Sequence, residues 1–66
     1  MKIRELRLSS RAINALHMQN IRETSDLTRY RRDDLLIFPR IGELTVAEIQ
    51  RELLRHDLYL RPGDTR

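Results

Sequence analysis

Apolar residues recur along most of this chain three or four positions apart, the spacing of a helix face, and depart from it at the two ends. From Ile3 to Leu8 the pattern alternates, with Ile3, Leu6 and Leu8 separated by Arg4, Glu5 and Arg7. Such a stretch is either a short extended arm or an irregular helical turn that lays its apolar residues on a core. Ser9 and Ser10 then supply an N-cap, because a serine hydroxyl accepts a hydrogen bond from an amide left free in the first turn. In the helix that follows, Ala12, Ile13 and Leu16 gather on one side when residues advance by about 100° each. Arg11 and Asn14 fall on the opposite side, with Ala15 and Met18. Gln19-Asn20 ends the helix, since asparagine tolerates the left-handed conformation of a C-terminal cap. Ile21 anchors the connection. Thr24, Ser25 and Asp26 are capping types and open a short helix through Leu27 to near Tyr30.

A third helix begins near Arg32 and Asp33 and brings Leu35, Leu36 and Phe38 to the core. It stops there, because the residue before Pro39 is pushed out of the α region. Gly42 is expected to permit a tight turn with positive φ. The fourth helix starts between Glu43 and Thr45, with Thr45 and Glu48 spaced as a capping box. Val46, Ile49 and Leu53 form its buried stripe. Glu48 with Arg51, and Glu52 with Arg55, are placed to pair on its exposed side. Leu58 and Leu60 close the core. The pattern predicts an all-α fold, a compact bundle of four to five short helices with a helix–hairpin–helix-like core. One domain covers residues 1–60, and 61–66 form a polar tail expected to fray.

Composition narrows the function classes. With 66 residues, the protein buries only about 60% of the surface it exposes when unfolded. It has no cysteine, so neither a disulfide nor a thiolate zinc site is available. His17 and His56 are too isolated for a metal cluster, no apolar run approaches the roughly 20 residues of a membrane span, and the N-terminus lacks a secretory signal. These features point to a soluble, cytoplasmic protein with no membrane association. Basic residues number 13 against 10 acidic ones, a formal net charge of +3. All but Lys2 are arginines, whose planar fork of donors matches phosphate oxygens. That bias fits nucleic acid or an acidic partner; a solvated arginine-rich surface is the plain alternative.

The local signal with most chemistry in it is the turn Pro39-Arg40-Ile41-Gly42 between two short helices. Such a turn leaves the first amides of the second helix unpaired at the positive end of its dipole, where a phosphate oxygen can bind. Gly42 has no side chain to hold a sugar-phosphate backbone away, and Arg40 and Thr45 flank it as donors. Arg11 suits a narrow A·T-rich minor groove, where the potential is most negative, and Asn14 stands beside it. Small Ala15 is expected to allow close approach. Arg29, Arg31 and Arg32 either extend a phosphate-facing surface or are solvated. Asp33-Asp34 reads as helix capping, and Tyr30 and Tyr59 are too scattered to stack bases. There is no Gly-rich phosphate loop, nucleophile elbow or metal-ligand spacing, so neither an enzyme nor a cofactor is expected.

In order and spacing, these residues resemble the C-terminal domain of the bacterial RNA polymerase alpha subunit. The likeness runs from about Ile3 to Leu60. It is carried by Glu5-Leu6, Leu8-Ser9, Arg11, Asn14, Leu16, Ile21, Asp26-Leu27, Leu35-Leu36, Pro39, Ile41-Gly42, Glu48-Ile49, Leu58 and Leu60. The resemblance implies a nonstandard N-terminal turn, four helices, and binding to the minor groove of A·T-rich upstream promoter DNA. It also implies contacts with transcription activators and sigma factor. By the same resemblance Arg11, Asn14, Gly42, Thr45 and Glu48 match the family's DNA-contacting positions, Arg40 stands near the phosphates, and Glu48 is expected to orient Arg11 by an ion pair. The sequence departs from the pattern at Glu43 and Leu44, where lysines are common, and at Ala15 and His17, where cysteine and lysine are usual. Two readings stay open. One is a free-standing DNA-binding transcription module; the other is a protein-interaction module of the same fold that contacts polymerase, sigma factor or an activator without binding DNA.

Overall fold

The computed structural model describes residues 1–63; the end of the polar tail, 64–66, lies outside the described residues. Each helix starts and stops for a reason visible in its end residues. The opening stretch is a 3₁₀ turn, Ile3–Glu5, which buries Ile3. This is the irregular-turn alternative, and it is tied to the segment after the first helix. The Ile3 amide donates to the Arg22 carbonyl at 2.9 Å, and the Thr24 amide donates to the Met1 carbonyl at 2.8 Å.

Helix α1, Ser10–Met18, is capped by Ser9, whose hydroxyl accepts from the Ala12 amide at 3.2 Å. It ends as expected at Asn20, whose φ of 62° is left-handed. The Asn20 amide donates to His17 and the Ile21 amide to Leu16, both at 3.0 Å. This paired closure satisfies two carbonyls and drops Ile21 into the core. Helix α4, Glu43–Arg55, closes in the same way through Asp57 (φ 59°), with Leu58 in the place of Ile21.

Helix α2, Thr24–Leu27, and helix α3, Arg32–Ile37, start on carboxylates. Asp26 accepts from the Glu23 amide at 3.2 Å, and Asp34 accepts from the Arg31 amide at 2.9 Å. The acidic pair Asp33-Asp34 thus contributes a cap, the role read from its position. Leu16, Ile21, Leu27, Leu35, Ile49 and Leu53 form the centre of the core, each at most 1% exposed. Tyr30 meets Phe38 edge-on at its margin, with ring centroids 5.5 Å apart. Among the described residues there is no strand beyond two isolated bridges, so the fold is all-α with four helices. One bridge joins Arg31 to Arg61, whose amide donates to the Tyr30 carbonyl at 2.9 Å.

Three expectations are corrected. Ala15 is buried at 2% exposure and does not share the outer face of α1 with Arg11. The buried arc is centred on Ala12, Ala15 and Leu16, which leaves Ile13 half-buried. Ala15 lies only about 40° from Arg11 on a helical wheel, but on the side towards Ala12, where a methyl group is easily covered. Gly42 does not take positive φ; its value is −103°, and the left-handed residue of the turn is Arg40, at 67°. The Ile41 amide donates to the Phe38 carbonyl at 3.3 Å, closing a turn with Pro39 and Arg40 at its centre. A turn with proline second and a left-handed third residue is type II, which places the strain on Arg40. Lastly, α4 starts at Glu43, within the expected bounds, but Thr45 and Glu48 do not form its capping box, because Gly42 is the N-cap, Thr45 sits inside the first turn and the Glu48 carboxylate goes to Ser9.

Candidate nucleic-acid interface

Two carboxylates one turn apart on α4 hold the start of α1 in place. Glu48 accepts from both the amide and the hydroxyl of Ser9, the latter at 3.2 Å. Glu52 accepts from the Arg7 amide at 2.9 Å. The register follows from geometry. Four helical residues advance about 6 Å, close to the 6.4–6.8 Å that roughly two extended residues span. Glu48 and Glu52 can therefore take alternate amides of the stretch 7–9. Glu48 is thereby committed to Ser9, and the expected ion pair with Arg11 is not formed.

Glu52 is also not on the exposed side. It is 5% exposed and binds the Arg55 guanidinium through both oxygens, at 3.0 and 2.8 Å, with His56 Nε2 at 3.4 Å. The Arg7 amide, then Arg55 and His56, hold its carboxyl below the ordinary 4.5, although burial pushes the other way. A depressed carboxyl contributes stability that is present above its unfolded value and lost as pH falls through its folded one. Thermal melts are therefore expected to show Tm falling as pH drops below about 4.5. Glu52→Gln should lower Tm at neutral pH by several degrees and flatten that acid dependence. Parallel pH profiles for the two proteins would show that Glu52 is not the group responsible.

This anchoring sets the start of α1 beside the start of α4, and a shallow depression forms between them. It is lined by Ser9, Arg11, Leu44, Thr45 and Glu48. Three of the sequence-selected residues, Arg11, Thr45 and Glu48, are thus brought together. Asn14 lies outside the depression, on the exposed face of α1 one turn after Arg11. Arg40 and Gly42 belong to the turn that leads into α4, both exposed. A Cβ built on Gly42 meets nothing within 4 Å. Neither its φ nor crowding within the protein requires glycine there, so the space it leaves faces outwards.

Arg40 is the converse. A left-handed arginine where glycine or asparagine is the usual choice costs about 1–2 kcal/mol, and that strain makes Arg40 a candidate for a role outside folding. Arg40→Gly is expected to hold or raise Tm while weakening duplex binding. A lower Tm together with unchanged binding would remove Arg40 from the interface.

The carboxylate of Glu43, beside the turn, has a cation next to it. Arg32 reaches Glu43 at 3.5 Å and Asp33 at 3.6 Å. These exposed pairs are weak, but they set a cation beside the carboxylate that precedes Leu44, and they draw Arg32 away from a phosphate-facing role. Sequence reasoning missed the lining role of Leu44 and the contact of Ser9 with Glu48. The i, i+4 spacing of Glu48 and Glu52 was the available signal for the second.

Among the described residues no cluster of histidine or acidic side chains could hold a metal, and no helix is long and apolar enough to cross a membrane. The family model that describes the C-terminal domain of the alpha subunit of bacterial RNA polymerase matches residues 1–55. Over 60 residues the sequence is 37% identical to the DNA-directed RNA polymerase subunit alpha of Rhodopirellula baltica, a match covering 91% of this protein and 18% of that one. The sequence thus spans less than a fifth of that relative's length.

Proposed function

This protein belongs to the family of the bacterial RNA polymerase alpha subunit's C-terminal domain, and we propose that it is a non-catalytic, DNA-binding module of transcription. In this reading Arg11 enters the minor groove of A·T-rich DNA and Asn14 bonds the backbone or a water beside it. The first amides of α4, opened by Gly42, take a phosphate oxygen with Arg40 and Thr45 as flanking donors. Glu48 acts through Ser9, fixing the helix that carries Arg11. The module works in the cytoplasm, in contact with polymerase, sigma factor or an activator.

The observation that supports this reading best is the depression itself. It sets side by side a helix N-terminus and an arginine that forms no ion pair among the described residues, next to a glycine whose missing side chain no internal contact explains. Phosphate contacts give grip and the groove gives preference. Fluorescence anisotropy should therefore find tighter binding to an A·T-rich duplex than to a G·C-rich one. Gly42→Ala should fold as the parent does and bind both duplexes more weakly. Equal affinity for the two duplexes would count against the groove assignment, and unchanged affinity in Gly42→Ala against the phosphate site.

A second reading draws on Leu44, which is 89% exposed in the same depression. A partner protein would cover such a residue, and a fold kept for that purpose would bind neither duplex.

A further inference from the structure

At the far end of α1 a second depression is lined by Lys2, Arg4, His17, Arg22 and Glu23. The hydrogen bonds that pin the opening turn to the segment 22–24 hold Lys2 and Arg4 beside Arg22. Like charges held together are destabilising unless an anion offsets them. Among the described residues none of the three forms an ion pair. Much of the acid supply is committed elsewhere: Asp26, Asp34, Glu48 and Glu52 hold backbone amides, while Asp33 and Glu43 face Arg32. Glu23 is the one carboxylate lining the depression.

We infer that Lys2, Arg4 and Arg22 form a second phosphate clamp, which takes the DNA strand opposite the one held at the Gly42 turn. The inference rests on the minor-groove reading above. His17 lies six residues after Arg11, about 9 Å along the helix axis. A minor groove about 6 Å wide puts its far rim within reach of long side chains at that distance. Helix α1 then lies across the groove, with Arg11 inside it and one cationic or amide-lined site at each rim. An acidic protein segment is the competing occupant. The DNA assignment is favoured because the cluster flanks the exposed arc of α1 that carries Arg11 and Asn14.

The test is duplex binding at several salt concentrations by the parent, by Arg11→Ala, and by the triple variant Lys2→Gln, Arg4→Gln, Arg22→Gln. All three triple-variant positions are exposed, so circular dichroism should show an unchanged fold. Loss of three phosphate contacts should make the salt slope shallower by about 3 and weaken binding roughly tenfold or more at low salt. The triple variant should keep its preference for A·T over G·C, because phosphate contacts carry no sequence information. A parental affinity and slope in the triple variant, with Arg11→Ala impaired, would overturn the clamp and leave the minor-groove reading standing. No binding by the parent would overturn both. Titration with a polyglutamate peptide is the last arm. Amide shifts at residues 2, 4, 17 and 22 with that peptide but not with duplex would assign the cluster to an acidic protein and overturn the clamp.

Discussion

Arg11→Ala is expected to weaken binding to an A·T-rich duplex by roughly 5- to 150-fold, the range of one good arginine contact of about 1–3 kcal/mol. Its preference over a G·C-rich duplex should shrink as well. The fold should be unaffected, because Arg11 is exposed and forms no ion pair among the described residues. Exposed positions of this kind normally shift stability by less than about 0.5 kcal/mol. Arg11→Lys separates charge from shape. A lysine keeps the positive charge but loses the flat guanidinium, so it should retain the salt dependence better than the A·T preference. Parental affinity in the alanine variant would show that Arg11 makes no groove contact.

Leu35→Ala is expected to damage the fold severely. Leu35 is fully buried, and truncating a buried leucine costs about 2–5 kcal/mol. At roughly 0.05–0.15 kcal/mol per residue, a protein of this length has about 3–10 kcal/mol in total. One truncation can therefore remove half the stability or more, lowering Tm by at least about 10 °C. The control lies two residues along the same helix. Ile37 is 79% exposed, and Ile37→Ala should leave the melt nearly unchanged. Equal losses at the two positions would mean that α3 does not present the face described.

Helix order was legible because its signals are local. Ser9, Asn20 and the Phe38-Pro39 junction each mark an end through their own backbone chemistry, and each stands where expected. The buried stripe Val46, Ile49 and Leu53 was equally plain. The misplaced features depend on where distant parts of the sequence meet. Ala15 sits near a boundary of the helical wheel, so only the packed neighbours decide its side. Glu48 and Glu52 carry the spacing of exposed ion-pair partners, yet their oxygens go to Ser9 and Arg7, across 39 and 45 positions of sequence. The positive φ was placed on Gly42 because glycine adopts it most cheaply; the type II turn puts it on Arg40 instead.

For the candidate site, the sequence supplied the residues and the fold supplied their meeting. Arg11 and Thr45 are far apart in sequence and line one depression because Glu48 binds Ser9. The exposure of Leu44 beside them follows from α4 starting at Glu43, two residues before Thr45.

In the proposed function the starts of α1 and α4 form one DNA-binding face. Titrating the ¹⁵N-labelled protein with an A·T-rich duplex, followed by amide NMR, tests it most directly. Shifts should cluster at residues 11–14 and 40–48 and weaken as salt is raised. An unchanged spectrum, or shifts confined to residues remote from both helix starts, would contradict the proposal.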